Sequence, residues 1–296
     1  MEILSKILRN KRMRRGSLDF DIDEAKITLD IKGKPVDVKA YERGVSNRII
    51  EEFMLVCNET IAEHMTWSEV PFMYRVHEEP TVEKMLDFNE FIHNFGYHLK
   101  GIGGEIHPKS LQDLLEKIKG TREEDIISAV MLRSLKKARY SSEPLGHFGL
   151  AAKYYTHFTS PIRRYPDLTI HRIIKEFLHG EITEDRAEQL EITLPELADH
   201  CSLRERIADE AERETDNLKK AEFMLDKIGL DYEGIISGVT NYGFYVQLEN
   251  TVEGLVRVTA LDDDYYVYNE KHYCLIGERT KKVYRLGDTV RIKVAG

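Results

Sequence analysis

Cysteine is scarce in this sequence, and its spacing excludes two classes of site. Only Cys57, Cys201 and Cys274 occur among 296 residues, and none belongs to a CxxC pair. This spacing offers neither a disulfide framework nor a zinc ligand set, so a reducing, cytoplasmic location is expected. Eight prolines and the lack of a low-complexity tract argue against a disordered linker.

Long apolar runs are also missing. The first residues, MEILSKILRNKRMRRG, surround a few aliphatic side chains with basic ones. They lack the apolar core of a signal peptide or of a membrane span, so no membrane partner is expected. The helical spacing of Ile3, Leu4, Ile7 and Leu8 predicts a packed helix instead.

Positive charge is in deficit. The formal net charge of −9 argues against nucleic-acid binding, because affinity for RNA depends on neutralising phosphates. The acidic residues are concentrated between positions 181 and 214, however, so basic groups could line a channel with an acidic exterior. The alternative is that each basic run is a solvated face, and this is favoured for the N-terminal run alone. The basic runs comprise Lys6, Arg9, Lys11, Arg12, Arg14, Arg15, Arg163, Arg164, Arg279, Lys281, Lys282 and Arg285.

What the sequence does contain is a dense polar and aromatic stretch at 154–172, YYTHFTSPIRRYPDLTIHR. Pro166 and Asp167 predict a helix start, because apolar residues recur at helical spacing after them. Arg163 and Arg164 would then enter a helix N-terminus, where an anion is favoured and two guanidinium groups could hold a phosphate. The alternative is that both arginines pair with surface carboxylates and the neighbouring aromatic residues are core or rim residues.

The pattern extends through GVSNRIIEEFMLVCNETIAEHM at 44–65, PFMYRVHEEPTVEKM at 71–85, GHFGLAAKYYTHFTSPIRRY at 146–165 and RERIADEAERETDNL at 204–218. It resembles the RNase II/RNase R family, the RNB-fold exoribonucleases. The resemblance implies an enzyme that hydrolyses RNA from its 3′ end, releases nucleoside monophosphates and uses magnesium. Residues 1–228 would be the C-terminal part of an RNB catalytic domain.

One expected feature of that family is missing, namely the cluster of closely spaced aspartates that holds the metal. The nearest candidate is LDFDIDEA, in which Asp19, Asp21 and Asp23 would share one face of a strand. The segment is more similar to the family's strand beyond the aspartate cluster, so we expect no metal ligands here. Magnesium would belong to the parent enzyme, and this chain would be a fragment that is inactive alone.

The expected fold class is α+β, mainly helical before residue 229. Pro195 is expected to open a long helix toward Gly229, and a short β segment is expected around Leu18 to Val38. Ser46 is expected to cap another helix. Its buried side would carry Ile49, Ile50, Phe53, Met54 and Cys57.

Beyond Gly229 the pattern changes to short alternating strands. GIISGVTNYGFYVQL, EGLVRVTAL and YRLGDTVRIKV resemble the RNA-binding OB-fold repeat first named from a ribosomal protein. Residues 229–296 would form this small β-barrel without its last residues. By resemblance Tyr242 and Phe244 would stack bases, whereas Tyr245 and Val246 are expected in the core.

The resemblance to the RNB exoribonucleases also implies individual roles. Arg163 would stabilise negative charge on the scissile phosphate, with Arg164 as the second candidate. Glu52 and Glu212 would accept hydrogen bonds from ribose hydroxyls near the RNA 3′ end, although each could equally be an ordinary helix-surface residue, as favoured for Glu51. The other RNA-binding candidates are Tyr155, His157 and Ser160.

Two hypotheses of different classes follow. The leading one is part of a 3′-to-5′ hydrolytic exoribonuclease that binds single-stranded RNA. The competing one is a non-catalytic single-stranded RNA-binding protein that keeps the family scaffold and the barrel. A missing β segment beside so many helices would expose apolar surface and favour self-association.

Overall fold

The computed structural model describes residues 1–20, 24–99, 101, 106–121, 123–269 and 272–296. No helix within these ranges is both long enough and apolar enough to cross a membrane. The same ranges contain seven α-helices: α1 (Glu2–Arg15), α2 (Val45–Trp67), α3 (Val82–His93), α4 (Pro108–Ile118), α5 (Glu124–Ser134), α6 (Tyr165–Leu178) and α7 (Glu184–Met224).

Most strands follow the helices, which confirms the predicted α+β class. All paired strands are antiparallel: β1 with β2, β3 with β4, a four-stranded sheet ordered β11-β5-β6-β7, and a three-stranded sheet ordered β10-β9-β8. The last two sheets form the predicted small barrel. The strands are β1 (Ala25–Leu29), β2 (Pro35–Ala40), β3 (Tyr74–Val76), β4 (Arg139–Ser141), β5 (Asp231–Thr240), β6 (Gly243–Leu248), β7 (Glu253–Arg257), β8 (Tyr266–Asn269), β9 (Cys274–Gly277), β10 (Val283–Arg285) and β11 (Thr289–Lys293).

Two large cores hold these elements together. One joins α3, α4 and α5 to the barrel and contains Phe88, Ile127 and Phe244. The other joins α2, α6 and α7 to β3 and β4 and contains Phe72 and Ile170. The predicted boundary at residues 228–229 falls in the turn before β5, while the first core extends across it.

Gly287 shows how closely the barrel meets the helices. Its φ is +85°, and a Cβ atom there would lie 1.9 Å from Cδ1 of Ile126 on α5. An added side chain would have to displace the end of the Ile126 side chain, so both the backbone conformation and the packing favour glycine here.

The long helix begins earlier than predicted. Thr183 caps α7, because its side chain accepts a hydrogen bond from the Arg186 N–H at 3.2 Å. Pro195 therefore lies inside the helix and does not open it. Leu194 and Ala198 are buried in the second core beside it, and this packing holds the helix across the N–H that proline lacks.

Helix α2 buries a different face from the predicted one. It begins at Val45 with Gly44 as its N-cap, so Ser46 lies in the first turn. Ile50 is 60% exposed. The buried residues are Glu52, Asn58, Ala62 and Met65, two of which are polar. The prediction was wrong because these polar groups have buried partners from distant parts of the chain.

Helix α1 also departs from the expected packing. The helix itself is present, but Ile3, Leu4 and Ile7 are exposed, whereas Ser5 and Arg12 are buried. Its buried face is thus polar, and its aliphatic face is open to solvent.

Candidate functional site

The turn formed by residues 160–164, here called the signature turn, leads directly into α6. The Ser160 carbonyl accepts the backbone N–H groups of Arg163 at 3.3 Å and of Arg164 at 3.0 Å. Asp167, in the first turn of α6, is fully buried. Its Oδ1 accepts the Ser160 N–H and Arg164 Nη2, each at 2.8 Å. One carboxylate oxygen therefore fixes both ends of the turn.

The two arginines of this turn are not equivalent. The Arg164 side chain is 17% exposed, and its Nε is buried without a hydrogen-bond partner in the described part of the chain. Arg163, one residue earlier, is exposed. Arg164 is thus anchored by Asp167, whereas the exposed Arg163 side chain has no hydrogen bond or ion pair with the part of the chain that the structure describes.

A cleft of about 450 Å³ lies between α2 and the segment leading to the signature turn. Asn58 of α2 joins its two walls, since its Nδ2 donates to the Tyr155 hydroxyl at 3.1 Å and its Oδ1 accepts the Phe158 N–H at 3.0 Å. Burial raises the pKa of Tyr155, so the hydroxyl keeps its proton. The lining residues are Ser46, Asn47, Ile50, Glu51, Met54, Leu55, Asn58, Tyr155 and Arg164.

His157 lies half-buried in the same segment. Its Nδ1 is 2.9 Å from the Tyr140 hydroxyl. Burial, helped by the cations Arg164 and Arg75, lowers the pKa of His157 to about 2. The imidazole is therefore neutral near pH 7, which excludes a role as a positively charged phosphate ligand.

Glu52 does not face the cleft. Its carboxylate is buried and accepts Arg12 Nη2 at 2.6 Å, with Arg9 Nη1 at 3.7 Å. The expectation that Glu52 contacts a ribose is wrong in this geometry, because the carboxylate is enclosed with its cation. Its neighbour Glu51 lines the cleft and accepts Arg43 Nη2 at 2.8 Å.

Glu212 lies apart from the other candidates. It is exposed on α7 and does not contribute to the cleft lining. Tyr155, His157, Ser160, Arg163 and Arg164 lie in one segment of the chain. Hydrogen bonds tie Ser160 and Arg164 to Asp167, Tyr155 to Asn58 and His157 to Tyr140, and Glu212 has none of these partners.

In the barrel, the predicted facing of β6 is reversed at two positions. Phe244 is 2% exposed and stacks on Tyr284 with ring centroids 4.9 Å apart. It belongs to the core and cannot stack a base, which corrects the prediction. Val246 is buried as expected, but Tyr245 points outward, and its hydroxyl lies 3.1 Å from that of Tyr242, which is 54% exposed.

Three cations of the N-terminal basic run are paired within the protein. Arg12 pairs with Glu52, and Arg15 donates to both carboxylate oxygens of Glu59 at 2.8 and 2.7 Å. Arg9 contacts Asp19. These cations are occupied within the protein, so the channel prediction does not extend to them.

Comparison with known protein families decides the assignment. The RNB domain model matches residues 1–180, which is more than half of the chain. The chain belongs to the RNB family. The S1 RNA binding domain model matches residues 225–296, in agreement with the barrel. Both matches confirm the resemblances drawn from the sequence.

Relatives of this RNB protein match along almost its whole length. It is similar to Ribonuclease R 1 of Lactococcus lactis, with 47% identity over 291 residues, covering 98% of this chain and 36% of the relative. Ribonuclease R of Aquifex aeolicus is 46% identical over 294 residues, covering 99% and 41%. The structure of Mycoplasma genitalium RNase R in complex with ribose methylated single-stranded RNA matches with a TM-score of 0.94 and 30% identity, covering 99% and 46%. The chain spans less than half the length of these relatives.

RNB nucleases are metal-dependent, so the described residues must be tested as ligands. Within the described ranges, no group of three or more His, Cys, Asp or Glu side chains could hold a metal ion. Asp19 faces Arg9, while Asp21 and Asp23 lie outside the described residues. The described residues do not fit a metal. The expectation that Asp19, Asp21 and Asp23 hold no metal stays a prediction.

Reasoning from the sequence missed several residues that shape the site. Asp167 was read only as a helix-start residue, although its place three residues after Arg164 fits an i,i+3 ion pair. Asn58 interrupts the apolar pattern of α2, which is a signal that this position has a polar partner. Tyr140 and Glu205 carry no local signal, because their partners are distant in the sequence.

Proposed function

We propose that this RNB protein holds single-stranded RNA as part of a 3′-to-5′ hydrolytic exoribonuclease that releases nucleoside monophosphates. The observation that supports this proposal most strongly is the signature turn, in which the buried carboxylate of Asp167 fixes Arg164 and Arg163 is exposed. The backbone that carries Arg163 is thereby fixed, so its cation is presented from one place, where it can stabilise the charge that develops on a phosphate.

In this proposal Arg163 contacts the scissile phosphate and Arg164 faces the RNA from the cleft wall. Tyr155 lines that wall, and Ser160 closes the turn that carries both arginines. Glu51 is a better supported carboxylate than Glu52 for accepting a ribose hydroxyl, because it lines the cleft. Glu212 remains a proposed ribose contact on the strength of the family resemblance.

The barrel would hold the RNA at a second point. Tyr242 and Tyr245 present adjacent rings on one face of the barrel, the first exposed and the second half-buried. Such rings stack bases with little sequence preference, which suits an enzyme that moves along a strand. The turn at residues 228–229 is the proposed boundary between the two functional parts.

The cellular setting is proposed from the free thiols. Cys57, Cys201 and Cys274 are unpaired cysteines, and two of them are buried, which fits a reducing cytoplasm. Self-association is proposed from the aliphatic face of α1, where Ile3 and Ile7 are exposed. Sedimentation at increasing protein concentration tests it.

The proposed function is tested with a 5′-labelled single-stranded oligoribonucleotide and the purified protein in magnesium. Anisotropy reports binding, and a denaturing gel of the same sample reports length. We expect binding with the RNA intact, because the described residues do not fit a metal site. Absence of RNA binding would contradict the proposal, and a ladder shortened from the 3′ end would show that the chain holds a metal after all.

A non-catalytic single-stranded RNA-binding protein is the second candidate. The misfit between the described carboxylates and a metal favours it. The gel distinguishes the two candidates if the RNA is shortened, because stepwise, metal-dependent shortening excludes the non-catalytic function.

A further inference from the structure

A connected set of polar side chains lies beside the signature turn, outside the cleft lining. Arg75 of β3 pairs with Glu205 of α7 at 2.5 Å, and its guanidinium lies 4.7 Å from the ring centroid of Tyr140 on β4. The Tyr140 hydroxyl lies 3.4 Å from Glu205 Oε1 and 2.9 Å from His157 Nδ1. The set therefore leads from a carboxylate on α7 to the imidazole of the RNA-binding segment.

The positions of the protons in this set follow from the chemistry of its members. Tyr140 has one hydroxyl proton, and a carboxylate oxygen can only accept. If Tyr140 donated to His157, two bare oxygens would face each other across the Glu205 contact. If Tyr140 donates to Glu205, its oxygen accepts a proton from His157 Nδ1, and both contacts are satisfied. The second arrangement leaves Nε2 of the neutral ring without a proton.

That nitrogen is not fully buried. Nε2 of His157 has no hydrogen-bond partner among the described residues, and it does not belong to the fully buried polar atoms that lack a partner. The ring is half-buried, with Nδ1 turned toward Tyr140. Arg75, Arg163 and Arg164 all disfavour a positive charge on it. His157 thus offers one bare acceptor nitrogen close to two arginines.

We propose that His157 Nε2 accepts a hydrogen bond from a ribose 2′-hydroxyl, and that Tyr140 and Glu205 are positioning residues that hold the ring in this tautomer. The inference rests on the proposed function, in which RNA lies against the signature turn. A phosphate has no proton to donate and would be repelled by a bare nitrogen, whereas the 2′-hydroxyl is a donor that DNA lacks. His157 would thereby help to distinguish RNA from DNA.

The tautomer is tested on the protein without RNA. In ¹⁵N-histidine NMR, with His157 assigned by its loss in His157→Asn, we expect Nδ1 protonated and Nε2 unprotonated. Glu205→Gln places an amide donor against Tyr140, so the hydroxyl turns to His157 and the proton moves to Nε2. Glu214→Gln, an exposed carboxylate on the same helix, is the matched control and leaves the tautomer unchanged. A proton on Nε2 in the unaltered protein would overturn the inference.

The consequence is tested by the ratio of affinities for RNA and DNA oligonucleotides of one sequence. We expect Glu205→Gln to lower the ratio by about five-fold, the loss of one neutral hydrogen bond, while Glu214→Gln does not. Tyr140→Phe keeps the ring under Arg75 and should also lower the ratio if Glu205→Gln fails to fold. A switched tautomer with an unchanged ratio refutes the inference while RNA binding stands. If the unaltered protein shows the expected tautomer but does not bind RNA, the proposed function is refuted instead.

Discussion

The helical part and the barrel arrange their candidate RNA groups in opposite ways. In the helical part, a part-buried hydrogen bond joins Arg164 to Asp167, and a buried one holds Asn58 against Tyr155. In the barrel, Tyr242 is exposed and Tyr245 is half-buried, and among the described residues each hydroxyl forms a hydrogen bond only with the other. The first arrangement fixes a few groups in one geometry, and the second leaves two rings free to adjust.

This difference matches two demands on a protein that would hold a moving strand. A reacting phosphate must meet charges that are already in place, because reorganisation during the reaction lowers their effect. Bases that pass the barrel differ in size, so a stacking surface that tolerates all of them is more useful there. Substitutions in the helical part should therefore affect folding stability first, and substitutions on the barrel surface should affect RNA affinity alone.

The largest effect is expected from removing the buried carboxylate of the signature turn. Asp167→Ala leaves the mostly buried Arg164 guanidinium without its partner and should lower the free energy of unfolding by about 3 to 5 kcal/mol. Denaturant unfolding followed by circular dichroism measures this. Asp199→Ala, an exposed aspartate on α7, should stay within about 0.5 kcal/mol. A loss below about 1 kcal/mol for Asp167→Ala would show that the turn is held by other contacts.

The next effect concerns pH. Burial lowers the pKa of His147 to about 3 and, with Arg164 and Arg75, that of His157 to about 2. The unfolded chain, with histidine pKa values near about 6.5, takes up protons first as the pH falls, so stability is full above that value and is lost below it. Each histidine should cost up to about 2 kcal/mol between pH 6.5 and pH 5.

This pH dependence is checked by unfolding at several pH values. His157→Asn should remove its share of the slope, whereas His200→Asn, which replaces an exposed histidine on α7, should not. Equal slopes for His157→Asn and the unaltered protein would mean that this ring is not buried in its neutral form.

A smaller effect tests the contact that joins the two regions. Gly287→Ala places a Cβ atom against Ile126 and should lower stability by about 1 to 3 kcal/mol more than Gly33→Ala. Gly33 is the matched control, because its φ is +77° and nothing lies within 4 Å of the added atom. Ile126→Val removes the clashing Cδ1 and should partly rescue Gly287→Ala in a double-mutant cycle. If the stability losses of Gly287→Ala and Ile126→Val simply add in the double mutant, the clash at residue 287 does not involve Ile126.

The last effect leaves folding stability unchanged and is confined to RNA affinity. Tyr242→Ala and Tyr245→Ala should each weaken single-stranded RNA binding by about 1 to 3 kcal/mol and leave the unfolding transition unchanged. Trp67→Ala, which removes an exposed aromatic residue from α2, serves as the control. If neither tyrosine changes the dissociation constant, the barrel binds RNA through another face.

The sequence predicted elements better than it predicted buried faces. Helix α6 and the barrel strands could be predicted from the sequence, because their apolar residues recur at one clear period and glycine marks the turns. In α2 the apolar residues occupy both sides of the helix. Glu52 is buried only because it forms an ion pair with Arg12, which lies forty positions earlier in the sequence. No local pattern contains that information.

The candidate site was predictable to a similar extent. The arginines of the signature turn could be found from their place before a helix start, but the anchoring of Arg164 depends on the buried position of Asp167. On β6, alternation shows that Phe244 and Tyr245 face opposite sides. Which of them points inward is decided by how the barrel closes, with Phe244 on Tyr284.

The most direct test of the central claim, that an exposed Arg163 on a fixed turn meets an RNA phosphate, is the salt dependence of RNA binding. Anisotropy titrations of single-stranded RNA are compared for the unaltered protein, Arg163→Ala and Arg133→Ala, an exposed arginine on α5. We predict that Arg163→Ala binds more weakly and that its slope of log affinity against log salt is shallower by about 0.7, as for one lost phosphate contact. An unchanged affinity and slope for Arg163→Ala would contradict it.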